Sequence, residues 1–177
     1  MKKIGIFCSA ADTIQPIYFE KAEELGVWWG QNQKTLVYGG ANIGLMECVA
    51  QAARKHGALI MGVVPTKLED RGAVSDLLDV TFRTDNLSDR KDTILRESDI
   101  LIALPGGVGT LDEVFHVMAS ASIGYHAKKV IFYNVDGFWN DLLCFLQKLR
   151  EQHFARRPWE NFYLVANSFE ELVEQLK

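Results

Sequence analysis

The sequence is poor in the features that would tie it to a metal, a disulfide framework, a membrane or a polyanion. Its 177 residues hold three cysteines, Cys8, Cys48 and Cys144. Their number is odd and their separation wide, which excludes a disulfide framework and paired zinc ligands. All three fall in apolar segments and read as buried, inert thiols. The four histidines, His56, His116, His126 and His153, never form an i, i+4 pair around a helical carboxylate, so no metal site is read. No uncharged apolar run approaches ~18 residues, and no membrane span is expected. The opening Met1–Ala10 briefly imitates a signal peptide, but its apolar run is short and soon reaches Asp12. A first strand explains it better, and cytoplasm is the expected location. A net charge of −4 argues against a nucleic-acid backbone as partner. The adjacent Arg156 and Arg157 have acidic or apolar neighbours and read as solvated surface. Low-complexity tracts, internal repeats and linkers are missing too.

What is present is a rhythm of short apolar runs and longer amphipathic ones. The apolar fraction of 48% and charged fraction of 24% are those of a globule. A chain of this length buries about two-thirds of its unfolded surface without a disulfide or metal. Strands are expected at Ile4–Cys8, Thr35–Tyr38, Leu59–Val64, Val80–Arg83, Ile100–Leu104, Val130–Tyr133 and Tyr163–Val165. These runs are continuous rather than alternating, as when helices cover both faces of a sheet. Helices are expected at Ile17–Gln31, Gly44–His56, Ser88–Glu97, Thr110–Ile123, Phe138–Arg150 and Phe169–Leu176. Pro16 suits a helix start, Gly57 a helix end, and Ala22, Leu25 and Trp29 share one face. Thr66–Ser75, with charges and Gly72, reads as a loop at the rim of a site. The pattern predicts one α/β domain spanning residues 1–177, a Rossmann-like, doubly wound, mostly parallel sheet with helices on both faces.

In such sheets ligands bind beyond the carboxyl ends of the strands. Three segments leave predicted strands there and run into small residues: Cys8-Ser9-Ala10-Ala11, Tyr38-Gly39-Gly40-Ala41, and Leu104-Pro105-Gly106-Gly107-Val108-Gly109-Thr110. The third opens directly into a helix. Its glycines let a ligand approach the backbone, and free amides at a helix start favour an anion. A phosphate therefore fits without a lysine in the loop, and Thr110 can add a hydroxyl. The loop lacks the Gly-Lys-Ser/Thr ending of a P-loop and is not the dinucleotide fingerprint. Asp112 and Glu113 follow in what reads as the first helical turn. Asp112 there can simply suit the helix dipole, whereas Glu113 could face the sugar attached to a bound phosphate. Upstream, Asp89-Arg90-Lys91-Asp92 supplies cations. Lys91 and Asp92 could equally form a solvated face.

Pro105-Gly106-Gly107-Val108-Gly109-Thr110-Leu111-Asp112-Glu113, with Asp89-Arg90-Lys91 ahead of it, resembles the LOG family of nucleoside 5′-monophosphate phosphoribohydrolases, often labelled lysine decarboxylases. The likeness runs from Ile4-Gly5-Ile6-Phe7-Cys8 through Gly62-Val63-Val64-Pro65 to Asn134-Val135-Asp136-Gly137-Phe138. It implies hydrolysis of the N-glycosidic bond of AMP or an N6-substituted AMP, to free base and ribose 5-phosphate, with no cofactor. It further implies Arg90 and Glu113 as the catalytic pair and a homo-oligomer, most simply a dimer. Substrate contacts are expected from Ser9, Gly39, Gly40, Lys91, Gly106, Gly107, Gly109 and Thr110. The aromatic cluster Trp159, Phe162 and Tyr163 could mark the subunit interface or pack under the last helix. Ser9-Ala10-Ala11, Ala41, Glu47, Leu87-Ser88, Ser120 and Ser122 depart from the family's usual pattern, which predicts an altered base pocket. A second function class shares the glycine motif: a non-catalytic carrier or sensor of a nucleotide or molybdenum cofactor. Amino-acid decarboxylation would need a Schiff-base lysine, and Lys67, Lys91, Lys128 and Lys129 have no setting that marks one.

Overall fold

The computed structural model describes residues 2–154 and 157–177. Seven strands, β1 (Lys3–Phe7), β2 (Thr35–Tyr38), β3 (Leu59–Pro65), β4 (Val80–Thr84), β5 (Ile100–Ala103), β6 (Val130–Tyr133) and β7 (Tyr163–Ala166), form one sheet. Its order is β4-β3-β2-β1-β5-β6-β7, and every neighbouring pair is parallel. The chain winds outward from β1 to β4, then returns to lay β5 against the other side of β1. The order thus reverses between β1 and β5, where a doubly wound sheet opens its ligand crevice.

The helices are α1 (Pro16–Gln31), α2 (Gly44–Lys55), α3 (Thr66–Asp70), α4 (Leu87–Glu97), α5 (Val108–Ser122), α6 (Asn140–Glu151) and α7 (Phe169–Leu176). Alternate strand side chains face opposite layers. Ile4, Ile6, Leu36, Tyr38 and Ile60 pack with Leu25 and Trp29 of α1, Val49 of α2 and Leu172 of α7. Phe7, Val37, Met61 and Leu101 pack with Ile94 of α4, Val114 and Val117 of α5 and Leu146 of α6. The inner strands β1, β2, β5 and β6 are buried almost throughout, whereas edge strand β4 alternates. Their uninterrupted apolar runs follow from that double cover.

Three details differ from the sequence reading. Thr66–Ser75 contains a turn of helix, α3, directly after Pro65, and Val74 bridges to Ala41. Helix α5 begins at Val108, two residues earlier than expected. Cys144 is exposed and Cys48 partly so, leaving Cys8 as the buried thiol; an apolar segment on an outer helix still has a solvent side. Arg156 lies outside the described residues. Among the described residues no helix is long and apolar enough to cross a membrane.

Candidate active site

The three strand-end segments do meet. Ser9, Gly39 and the Gly107–Thr110 turn line one cleft of about 380 Å³, together with Arg90, Lys91, Asp112 and Glu113. The N-cap of α5 is Gly107, which contributes no capping side chain. The first amides of an α-helix have no partner inside it. A Cβ placed on Gly107 or Gly109 would meet nothing within 4 Å. Neither glycine is demanded by packing, and both leave the amide face of α5 open to the cleft. Gly106 differs: a side chain there would run into Thr110, so it seats the buried Thr110 and does not itself line the cleft. Gly40 also stands outside the cleft. Its φ of +72° makes the turn after β2, a conformation open to glycine at no steric cost.

Gly39 is a matter of close approach. A Cβ there would collide with the guanidinium of Arg90, which donates from Nη2 to the Gly39 carbonyl (3.0 Å) and from Nε to the Val63 carbonyl (3.2 Å). These carbonyls, on the β2–α2 turn and on β3, anchor the arginine to the sheet and leave Nη1 facing Glu113. The Nη1–Oε1 separation is 3.8 Å, an ion pair without a hydrogen bond. Asn86 caps α4 by accepting from the amides of Ser88 and Asp89, which fixes the helix that carries Arg90.

Because α5 starts at Val108, Asp112 and Glu113 lie in its second turn, not its first. Asp112 is therefore not a dipole-compensating residue. It accepts two 2.8 Å hydrogen bonds from Nζ of Lys91, and Lys91, though lining the cleft, is occupied by that carboxylate. The side chains of Arg90 and Glu113 are 16% and 15% exposed. Burial raises the pKa of Glu113 to about 7, against the lowering pull of Arg90 and Lys91, with Asp112 adding to the rise. A carboxyl titrating near neutrality inside a cleft has the character of a functional group. Burial and the nearby Glu113 also hold the Cys8 thiol well above its ordinary range, so the thiol stays protonated and poorly nucleophilic.

Sequence reasoning marked Leu87 only as a departure from the family pattern and did not single out Met46 or Val108, yet all three line the cleft; Leu87 is 60% and Val108 85% exposed. Their apolar side chains carry no chemical signature, and only adjacency to the glycine loops could have marked them. Of the departures from the family pattern, Ser9, Ala10 and Leu87 border the cleft. Ala41, Glu47, Ser88, Ser120 and Ser122 do not. Ser120 bonds back to the His116 carbonyl, and Ala41 is buried beside its bridge to Val74. Fewer of these departures reach the cleft than the sequence suggests. The aromatic cluster is not free surface either. Phe162 is buried and Trp159 donates to the Leu146 carbonyl of α6.

Residues 46–176 match a family model described as "possible lysine decarboxylase". That stretch holds both the Arg90 helix and the whole glycine loop. The chain belongs to this family. Its members here are the LOG proteins: the chain is 36% identical over 176 residues to the cytokinin riboside 5′-monophosphate phosphoribohydrolase LOG7 of Arabidopsis thaliana, covering 99% of this chain and 81% of the relative. It is equally similar to the protein named "probable cytokinin riboside 5′-monophosphate phosphoribohydrolase LOGL2" of Oryza sativa subsp. japonica, 36% over 99% of this chain and 72% of the relative. Among solved structures, the molybdenum cofactor binding protein of Rippkaea orientalis matches with a TM-score of 0.73 at 27% identity, over 99% of this chain and 94% of that one. The molybdenum cofactor carrier protein of Chlamydomonas reinhardtii matches with a TM-score of 0.75 at 21% identity, over 99% and 94%, and bears on the fold alone. Of the LOG motif residues of this chain, Arg90, Lys91, Gly107, Gly109, Thr110 and Glu113 converge on the cleft.

Proposed function

We propose that this LOG protein hydrolyses the N-glycosidic bond of a purine nucleoside 5′-monophosphate, AMP or an N6-substituted AMP, to the free base and ribose 5-phosphate. The whole chain serves as one nucleotide-binding unit. The observation that carries the reading is the convergence, in one cleft, of an open helix N-terminus with a buried arginine–glutamate pair one turn further in. The phosphate rests on the α5 amides beside Gly107, Gly109 and Thr110, with Ser9 on the facing turn. The ribose then lies along α5 against Glu113 and Arg90, and the base reaches the apolar mouth formed by Met46, Leu87 and Val108.

Cleavage breaks the C1′–N9 bond, and the bonding pair leaves with the base. A water oxygen forms the new bond to C1′, one of its protons is released and the base nitrogen is protonated. Positive charge builds on the ribose as the base departs, as in glycoside cleavage. The Glu113 carboxylate stabilises that charge and orients the attacking water. Arg90, held by two backbone carbonyls, presents a guanidinium that favours the ionised form of Glu113. Free Glu113 titrates near pH 7, so kcat/KM rises with pH through that range. None of these roles requires a metal or organic cofactor. Nor does the decarboxylase description of the family find a place in the cleft, where Lys91 is bound to Asp112.

We assign a dimer as the working assembly. Its support is the exposure of three apolar side chains, Val108 and Phe115 on α5 and Ile123 at its C-cap, the first of which lines the cleft. Static light scattering is expected to return twice the chain mass, and a monomer mass would remove this assignment.

The test is product analysis by chromatography after incubation with AMP and N6-isopentenyl-AMP. Free base and ribose 5-phosphate are expected in equal amounts from at least one of them, and neither from Arg90→Ala. Binding of nucleotides across a panel without release of base would favour the second reading, a non-catalytic carrier. That reading is supported by the overall likeness to the Rippkaea protein.

A further inference from the structure

We propose that Lys91 and Asp112 form a clasp that sets the spacing of Arg90 and Glu113, so that Lys91 is a positioning residue and not a ligand of the substrate phosphate. The proposal rests on the hydrolase reading above. Arg90 and Lys91 are successive residues of α4, and Asp112 and Glu113 are successive residues of α5. The pairs Arg90–Glu113 and Lys91–Asp112 are therefore parallel rungs between the same two helices. The first rung is open at 3.8 Å. The second is closed by two 2.8 Å bonds onto one ammonium. A third, His116 Nε2 to Asp92 Oδ1 at 2.8 Å, joins the helices a turn further along α5.

The open rung cannot fix its own length. Arg90 spends two donors on the Gly39 and Val63 carbonyls, which binds α4 to the sheet but not to α5. Glu113 makes no hydrogen bond that would hold it at a chosen distance, and its position follows that of α5. The closed rung supplies the missing constraint. Its lysine is the covered partner, 14% exposed against 51% for Asp112, so its ammonium is held at the cleft wall beneath the carboxylate. A phosphate seeking Lys91 would have to displace a bidentate carboxylate already in place. The α5 amides beside Gly107 and Gly109 are open and need no displacement. A 1 Å error in a reacting pair can cost about a hundredfold in rate, which gives the clasp its purpose.

A double-mutant cycle on AMP hydrolysis tests this. For the clasp, Lys91→Met and Asp112→Asn each lower kcat about tenfold with KM within about twofold, and the double variant falls no further than either single, since both remove one coupling. The charge-swapped protein, Lys91→Asp with Asp112→Lys, recovers to within about threefold of the parent. A phosphate-ligand role predicts instead that Lys91→Met raises KM about tenfold or more while Asp112→Asn leaves it alone; that result, or additive losses in kcat, overturns the clasp. Calorimetric titration with AMP gives a readout without turnover. If the parent binds AMP but releases base from neither AMP nor N6-isopentenyl-AMP, the hydrolase reading fails, and an unchanged Kd in Lys91→Met still separates clasp from ligand. A parent that neither binds nor cleaves AMP or N6-isopentenyl-AMP removes both.

Discussion

The two helical layers of this protein are built on opposite principles. On one face α1 and α2 meet through glycine and alanine. A Cβ on Gly26 would stand 2.6 Å from the Ala52 Cβ and 2.7 Å from the Val49 carbonyl, and one on Gly30 would strike His56. That seam is close and held by dispersion. On the other face α4 and α5 meet through Arg90–Glu113, Lys91–Asp112 and Asp92–His116. Exposed ion pairs contribute little to stability, and burying Glu113 works against it. The comparison teaches a division of labour: the α1–α2 seam packs against the sheet, and the α4–α5 seam sets charged groups at the edge of the cleft.

Substitutions can break the contrast from either side. The largest expected effect is on activity. Arg90→Ala and Glu113→Gln should each lower kcat/KM by about a thousandfold, the scale seen when a preorganised charge-stabilising group is removed, while the unfolding transition stays cooperative. Steady-state assay beside thermal denaturation checks this. A thousandfold loss from Gly26→Val in protein still folded at the assay temperature would contradict the division.

The converse effect comes next. Gly26→Val forces a branched side chain into a space with no room for a Cβ, and overpacking of this kind costs about 3 kcal/mol. Denaturant unfolding should show that loss with kcat per folded molecule unchanged. A loss under ~0.5 kcal/mol would mean the seam is looser than its geometry implies.

Glu113 links the two properties through pH. Its folded pKa is raised to about 7 from an ordinary carboxyl value near 4.5, so the folded state binds the proton more tightly than the unfolded chain. Stability from this group is full below the unfolded value and is lost as pH rises through the folded one, by at most about 3 kcal/mol. Glu113→Gln should therefore gain stability relative to the parent between pH 5 and pH 8, and denaturant titrations at both pH values will show whether the gap widens. The pH that destabilises the parent is the pH that ionises the carboxyl proposed to act in catalysis.

The smallest effect belongs to the anion site. Gly107 has φ −91° and open space above it, so Gly107→Ala should leave stability within ~0.5 kcal/mol. The added methyl group crowds the α5 amides, and KM for AMP should rise about tenfold. An unchanged KM would place the phosphate elsewhere.

The double cover of the sheet made the inner strands legible, because each apolar run needed no polar alternation. The location of the crevice followed from the three glycine-bearing or small-residue strand ends, which Ser9, Gly39 and Gly107 bear out. The start of α5 was obscured by Gly109, a residue of poor helix propensity. The helix forms there because its first amides need no internal partners. The partnership of Lys91 with Asp112 was invisible for a different reason: 21 residues separate them, and only the return of the chain from β4 to β5 brings their helices side by side. Met46 carries nothing but hydrophobicity and could be placed in the cleft only by topology.

A crystal structure of Glu113→Gln with AMP would test the central claim most directly. The phosphate oxygens should lie about 3 Å from the amides of Val108, Gly109 and Thr110, with the ribose between Arg90 and residue 113. AMP seated with its base against those amides, or bound away from α5 altogether, would contradict the account.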